Sequence, residues 1–473
     1  MAEAERPGVR FLSTEQLASV LENAGRILDE IGVEVEVERA RDSLAAAGAR
    51  VGSDGRVRIG TALVDRALES VPNEFTLFNR DGDPVATLGR GEPHYCPGSA
   101  AIRVLDWGQT EMRPSTLEDC ERFARLTEAL PGYELQSTCV VPTELDAEVG
   151  DRHRLAVALT HCRKPIVTGT FDATSFGPMR DMLAAVRGSA AALTEKPLAI
   201  FDCCPTAPLS WSVLTCSALV GCAESGVPAE IVSVPMTGAT SPMSLQGAVS
   251  QHTAECLSGL VIHQLSGPGS PLVWGSCSSG FDMRQGTSPM GAVESMMMNA
   301  GTTQVGRHLG LPTHGYYGLS DSKALDYQAG YESGCGALLA ALAGVDVVAG
   351  PGILEFVGCQ SLEKLVLDHE VCRSAKRAVC GIDPRTEDDI VDLVRRGVEA
   401  GQFLNLRHTR CTFRQELMFP GATVDRQDGA NWLISGGSQA HETAHTEVER
   451  LLAGEGAPAL APEIARELKR LQG

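Results

Sequence analysis

The chain has 473 residues, enough for two or three domains or for one large barrel with extensions. Forty basic residues against sixty acidic ones give a formal charge of −20, which excludes an electrostatic surface for nucleic acid or for an anionic membrane. A 43% hydrophobic and 21% charged composition excludes disorder.

No run of about eighteen uncharged apolar residues occurs, so no transmembrane helix is expected, and the opening MAEAERPGVRFLSTEQ has no apolar signal core. The fifteen cysteines are scattered without a C-x-x-C pair. They read as reduced thiols buried as small hydrophobes in a cytoplasmic protein.

Residues 1–92 read as a helical and hairpin extension. Ser13-Thr14-Glu15-Gln16 forms a capping box that opens a helix to about residue 29, and Gly32 stops it. Shorter helices are expected near 39–47 and 61–70. Residues 75–78 and 84–88 flank Asn79-Arg80-Asp81-Gly82-Asp83, a hairpin pattern. This unit offers no chemistry, and assembly or lid duty is expected of it.

From residue 93 to 380 short apolar runs alternate with helix-length stretches. The runs are 93–97, 133–141, 165–171, 198–203, 230–235, 272–277, 313–318 and 346–350. The helices between and after them lie near 115–129, 149–160, 176–186, 210–224, 244–265, 289–308, 326–343 and 361–379. Eight strand–helix units predict an α/β chain of the (β/α)8 TIM-barrel class, with an open doubly wound sheet as the rival. Residues 102–106 and 110–112 form an inserted hairpin turning at Trp107-Gly108-Gln109. Residues 381–473 form a C-terminal helical tail. It holds a charged helix at 383–400, loops around 413–420, a glycine-rich stretch at 429–437 and a final helix pair. The tail is expected to wrap the barrel or a partner subunit, in a homo-oligomer.

Barrel enzymes carry ligand groups on the loops that follow the strands. Most of the strand ends here bring an aromatic residue or Met, in a chain with only 4 Trp, 6 Tyr and 12 Phe. Acidic groups among them are few: Asp202, Asp321 and Glu355. Ring faces with few carboxylates suit a small cation. The richest stretch is His314-Gly-Tyr-Tyr-Gly-Leu-Ser-Asp-Ser-Lys323, followed by a helix that Asp326 caps. On that helix Gln328 and Glu332 share a face, as do Tyr327 and Tyr331.

Two sharper motifs point elsewhere. His441-Glu-Thr-Ala-His445 fits the zinc-protease pattern H-E-x-x-H, but it lies in a polar tail and reads better as an exposed helix face. Cys203 and Cys204, with Cys96 and Cys277, stand at strand ends where thiolates hold zinc in some methyl-transfer enzymes. Adjacent cysteines on a strand point to opposite faces and do not easily share one ion. No nucleotide-binding fingerprint is present.

Four stretches carry a resemblance. Val104-Leu-Asp-Trp-Gly-Gln-Thr-Glu-Met-Arg-Pro-Ser-Thr-Leu-Glu-Asp119 resembles the hairpin-then-helix signature of the trimethylamine:corrinoid methyltransferase family. Ser320-Asp-Ser-Lys323 with Asp326-x-Gln-Ala-Gly-Tyr-Glu332, Gly350-Pro-Gly-Ile-Leu-Glu355 and His408-Thr-x-x-x-Phe413-Arg-x-Glu416 are similar to it too. The resemblance implies a (β/α)8 fold. Family founders carry pyrrolysine in the barrel mouth, and this sequence has none; the equivalent position is sought after Tyr317 or near Glu355. The pyrrolysine-free branch implies a quaternary amine of the glycine betaine kind. Its methyl would pass to the Co(I) of a corrinoid (cobalamin) carried by a partner protein, with no cofactor or metal held tightly by this chain.

Combined with the strand ends, the resemblance assigns candidate roles. Tyr316, Tyr317, Trp274, Phe171 and Phe201 would form the cation cage. Asp202 and Glu355 would supply negative potential, and His314, Gln328 or Lys323 would hold a substrate carboxylate. Two other readings stay open: a zinc-dependent methyltransferase acting on a thiol or alcohol, and a non-catalytic betaine-binding barrel.

Overall fold

Eight short parallel strands form the centre of the protein: β1 (His94–Cys96), β2 (Gln136–Ser137), β3 (Ile166–Gly169), β4 (Ala199–Asp202), β5 (Ala229–Ser233), β6 (Leu272–Ser276), β7 (Thr313–Tyr316) and β8 (Val347–Ala349). The structure is a computed structural model that describes residues 6–98, 100–383 and 389–473. Pairing runs in the order β1-β8-β7-β6-β5-β4-β3-β2. The ring closes where the Leu135 N–H donates to the Tyr95 carbonyl at 3.3 Å. Each strand is followed by a helix: α1 (Leu117–Ala129), α2 (Ala147–His161), α3 (Phe176–Arg187), α4 (Val213–Ser225), α5 (Leu245–Ser266), α6 (Val293–His308), α7 (Tyr327–Ala343) and α8 (Leu362–Val379). The fold is therefore the (β/α)8 barrel that the alternation predicts. The strands are shorter than the apolar runs, because pairing stops where the loops diverge at the mouth.

The N-terminal helices Thr14–Arg26, Glu38–Ala46 and Thr61–Ser70 all pack on α5. That covering explains why α5 has no polar face and is buried from Ala248 through Gln264. Ser13 and Gln16 make the reciprocal capping box. At the far end Gly32 adopts φ +76°, where a side chain would meet the Val57 carbonyl at 2.5 Å.

The hairpin Phe75–Phe78/Pro84–Leu88 packs into the barrel. Leu77, Ala86 and Leu88 enter the same apolar cluster as Leu135, Val167 and Val347 inside the barrel, so the hairpin plugs its N-terminal end. Asp346 fastens the plug. Its carboxylate accepts the N–H groups of Gly89 (2.9 Å), Gly91 (2.7 Å) and Thr313 (2.8 Å), and the Thr313 hydroxyl (3.0 Å).

In the tail, helix Ala440–Leu452 packs on α8 and α1, and helix Pro462–Gln472 on α2 and α3. The charged helix spans Ile390–Ala400; the start expected for it at 383–388 falls largely on residues 384–388, outside the described residues. The expected loop around 413–420 is instead partly helical, through Arg407–Glu416, and Gly429–Ile434 forms a helical turn capped by Asp428. Among the described residues no helix is long and apolar enough to cross a membrane.

Replacing Asp346 by Ala would leave two buried backbone N–H groups and one half-buried one, that of Gly89, without an acceptor. We expect a loss of about 3 kcal/mol or more, read as a lowered thermal midpoint. An unchanged midpoint would mean that the plug is held by apolar packing alone.

Candidate active site at the mouth of the barrel

Side chains alternate along each strand between the barrel interior and the surrounding helices. On β4, Ile200, Asp202 and the following Cys204 face inward, whereas Phe201 and Cys203 join the helix layer. On β5, Val232 faces inward, and so does Glu230 two residues earlier. On β7 the inward pair is His314 and Tyr316; Cys277 enters from the end of β6 and Cys96 from β1. Asp202, Glu230, His314, Tyr316, Cys204 and Cys277 thus converge near the C-terminal end of the barrel, where the loops meet.

Burial sets the protonation of this group. It pushes the Asp202 carboxyl up to about 6, and raises Glu230 well above the usual carboxylate range, with the nearby charge of Asp202 adding to the rise. The Cys204 thiol donates to Asp202 at 3.1 Å. Burial lowers His314 to about 3, so its ring is neutral, and the 3.8 Å approach of its Nδ1 to the Glu230 carboxyl joins two uncharged groups. Both Glu230 oxygens and both His314 nitrogens lack a hydrogen-bond partner. The Tyr316 ring stands edge-on to His314 at 5.3 Å and is 7% exposed. Burial also raises the thiols of Cys96, Cys204 and Cys277, which keeps them protonated.

Three of the expected cage residues lie on the wrong side of the barrel wall. Trp274 packs against His252 at 5.8 Å and donates from Nε1 to the Thr302 carbonyl at 3.0 Å. Phe201 meets Phe176 edge-on at 5.0 Å, and Tyr317 donates its hydroxyl to the Met296 carbonyl at 3.1 Å. Each is a neighbour in sequence of an inward position, and alternation turns it outward. Phe171 stays at the surface, 48% exposed, with the Arg154 guanidinium over its ring at 5.0 Å. Of the five, Tyr316 alone faces the interior.

The rim residues hold the loops together. Asp321 accepts the N–H groups of Met290 and Gly291 at 2.9 and 2.8 Å. Glu332 accepts from the Ser320 hydroxyl, the Asp321 N–H and the Gln328 amide at 2.5, 2.8 and 2.9 Å. Glu355 pairs with Arg103 at 2.5 Å, and Lys323 donates to the Asp321 carbonyl while lying over Phe356 at 4.2 Å. Gln328, Lys323 and Glu355 therefore act in the loops and not in the interior. Backbone bonds from Ser320 to Ile353 and from Glu355 to Ser322 tie the loop after β7 to the loop after β8. In that second loop Glu355, Phe356 and Val357 hold φ values of +50°, +53° and +71° in succession, a strained path fixed by these partners.

Glu230 escaped the sequence reading because it sits inside an apolar run; the signal for it was its even spacing from Val232 and Val234. Neither sharper motif builds a metal centre. Cys203 and Cys204 face opposite sides of β4, as adjacency requires. His441 and His445 lie against Trp107 at 5.6 and 4.5 Å, and His445 meets Glu363 at 3.0 Å. Among the described residues no three His, Cys, Asp or Glu side chains are grouped to hold a metal ion.

Residues 2–471 match the family model described as trimethylamine methyltransferase (MTTB). The chain is 29% identical over 472 residues to the trimethylamine methyltransferase of Desulfitobacterium hafniense (strain DSM 10664 / DCB-2), covering 100% of this chain and 95% of that protein. It is 30% identical over 465 residues to the glycine betaine methyltransferase of Desulfitobacterium hafniense (strain Y51), covering 98% and 96%. Among solved structures it resembles the Methanosarcina barkeri monomethylamine methyltransferase, with a TM-score of 0.54 over 93% of this chain and 88% of that one. At 11% identity that likeness speaks for the fold alone.

An ionised Asp202 beside the Tyr316 ring suits a small cation. Tetramethylammonium, followed by calorimetry, should bind more tightly as pH rises from about 5 to about 7, because Asp202 ionises across that window with a value of about 6. Asp202→Asn should flatten the profile, and Tyr316→Ala should weaken binding about tenfold at neutral pH. A wild-type pH profile in the Asn variant would remove Asp202 from the site.

Proposed function

Since the chain belongs to the trimethylamine methyltransferase family, we propose that this methyltransferase moves a methyl group from a quaternary ammonium compound to the Co(I) of a corrinoid carried by a partner protein. The observation that carries this reading is the similarity to a glycine betaine methyltransferase along 98% of the chain, in a sequence built only from the twenty standard residues. A quaternary ammonium already bears the positive charge that makes an amine a leaving group. The reaction then needs no acid, base or nucleophile from the barrel.

The acceptor supplies the electron pair. As the new C–Co bond forms, the C–N bond breaks and its electrons stay on nitrogen, so a neutral tertiary amine leaves and the cobalt becomes methyl-Co(III). The residues of this chain bind and orient the donor. Asp202 balances the ammonium charge, the Tyr316 ring offers its face, and the thiols and aliphatic wall exclude water from the reacting methyl. Protonated thiols suit that wall, because a thiolate would itself compete for the methyl group.

Purified protein mixed with chemically reduced cobalamin and a panel of methylated amines provides the test, read by the visible spectrum. We expect methyl-Co(III) to form with a quaternary amine and not with trimethylamine. Methylation from trimethylamine alone would overturn the quaternary reading.

A further inference from the structure

The methyl that leaves for cobalt must point out of the barrel toward the approaching acceptor. The rest of the donor therefore lies inward or sideways beneath the loops, and the charges there select its tail. The inward-facing strand positions carry no Lys or Arg, and deep in the interior lie the unpartnered Glu230 carboxyl and His314 ring. The eight loops that follow the strands contain four cationic side chains: Arg103, Arg113, Arg284 and Lys323.

Each is committed. Arg103 pairs with Glu355 at 2.5 Å. Arg113 bridges Asp106 and Asp119 at 2.6 and 2.7 Å. Arg284 pairs with Asp282 at 2.7 Å, its side chain 85% exposed. Lys323 is exposed and held by the Asp321 carbonyl at 2.7 Å. Arg154 reaches the end of β3 from the helix side, where Asp151 and the Gly169 carbonyl each hold it at 3.2 Å.

Charge balance then discriminates between donors. A quaternary ammonium with a neutral tail cancels the charge of Asp202 and leaves the buried site neutral. A betaine brings its own carboxylate, which meets no loop cation that is not already engaged, so the site carries one negative charge more than it does with a neutral tail. The neutral Glu230 carboxyl and His314 ring each offer an idle donor and an idle acceptor, and a hydroxyl on the tail, which both donates and accepts, can satisfy both kinds without adding charge. Resting on the reading above that the donor is a quaternary ammonium, we infer that its tail is uncharged and hydroxylated: a quaternary ammonium alcohol of the choline type, not a betaine.

Calorimetric binding of choline, glycine betaine and tetramethylammonium to the full-length protein tests this, with the cobalamin assay run in parallel. Choline is expected to bind at least tenfold more tightly than glycine betaine. Glu230→Leu, which removes the donor and acceptors that would hold the hydroxyl, should narrow that gap, and Lys323→Ala should leave both affinities unchanged. Glycine betaine binding as tightly as choline, or a selective loss of betaine binding in Lys323→Ala, would overturn the inference. If glycine betaine methylates cobalamin and choline does not, the inference fails while the quaternary reading stands. If no quaternary ammonium binds at all, both fail together.

Discussion

Successive side chains on a barrel strand must point to opposite sides of the wall. Everything about the site descends from that constraint. Within two or three residues of β4 and β7 it separates the groups that see the interior, Asp202, Cys204, His314 and Tyr316, from those that secure the helices, Phe201, Cys203 and Tyr317. Closure of the sheet brings the inward sets from strands far apart in sequence together. Asp202, Glu230 and Tyr316 become neighbours although more than a hundred residues separate the first from the last.

The interior so formed is buried and acidic, and its protonation states follow from desolvation. Glu230 and His314 stay neutral because no charged partner offsets their burial, while Asp202, nearer the mouth, titrates close to neutrality. A charge that is expensive to bury is best matched by a ligand of opposite sign that brings no second charge with it. Loops tied together by carboxylates keep this geometry rigid before a ligand arrives. Asp321 and Glu332 are spent on backbone N–H groups and a serine hydroxyl, and the left-handed run at Glu355–Val357 is held by bonds from both neighbouring loops. Preorganisation of that kind suits the methyl transfer proposed above, whose main demand is orientation.

Several motifs with a chemical look have structural work. Of the two histidines of the H-E-x-x-H stretch, His445 stacks on Trp107 and His441 lies tilted beside it, so they pin the tail helix to the hairpin after β1. The N-terminal hairpin fills the end of the barrel away from the mouth, which confines ligand access to the loop side. The strand-end aromatic residues Phe201, Trp274 and Tyr317 are packing for the helix layer.

The barrel was legible in the sequence because its elements are local: eight apolar runs spaced by helical stretches, the capping box at Ser13 and the stop at Gly32 all read without reference to distant residues. The family likeness was legible too, since its motifs are contiguous. Asp202, His314 and Tyr316 are candidates by their places at strand ends, and the structure turns all three to the barrel interior. Which face each strand-end residue presents was not legible, because strand boundaries were uncertain by a residue or two and a shift of one inverts the face. Glu230 was hidden for the same reason, inside a run that reads as core. Nor does composition disclose that the loop cations are already engaged, since Arg103 meets Glu355 only once the loops after β1 and β8 fold together, and Lys323 spends its ammonium on the Asp321 carbonyl and the Phe356 ring. Local periodicity determines the elements; burial and charge balance at the mouth exist only once the ring is closed.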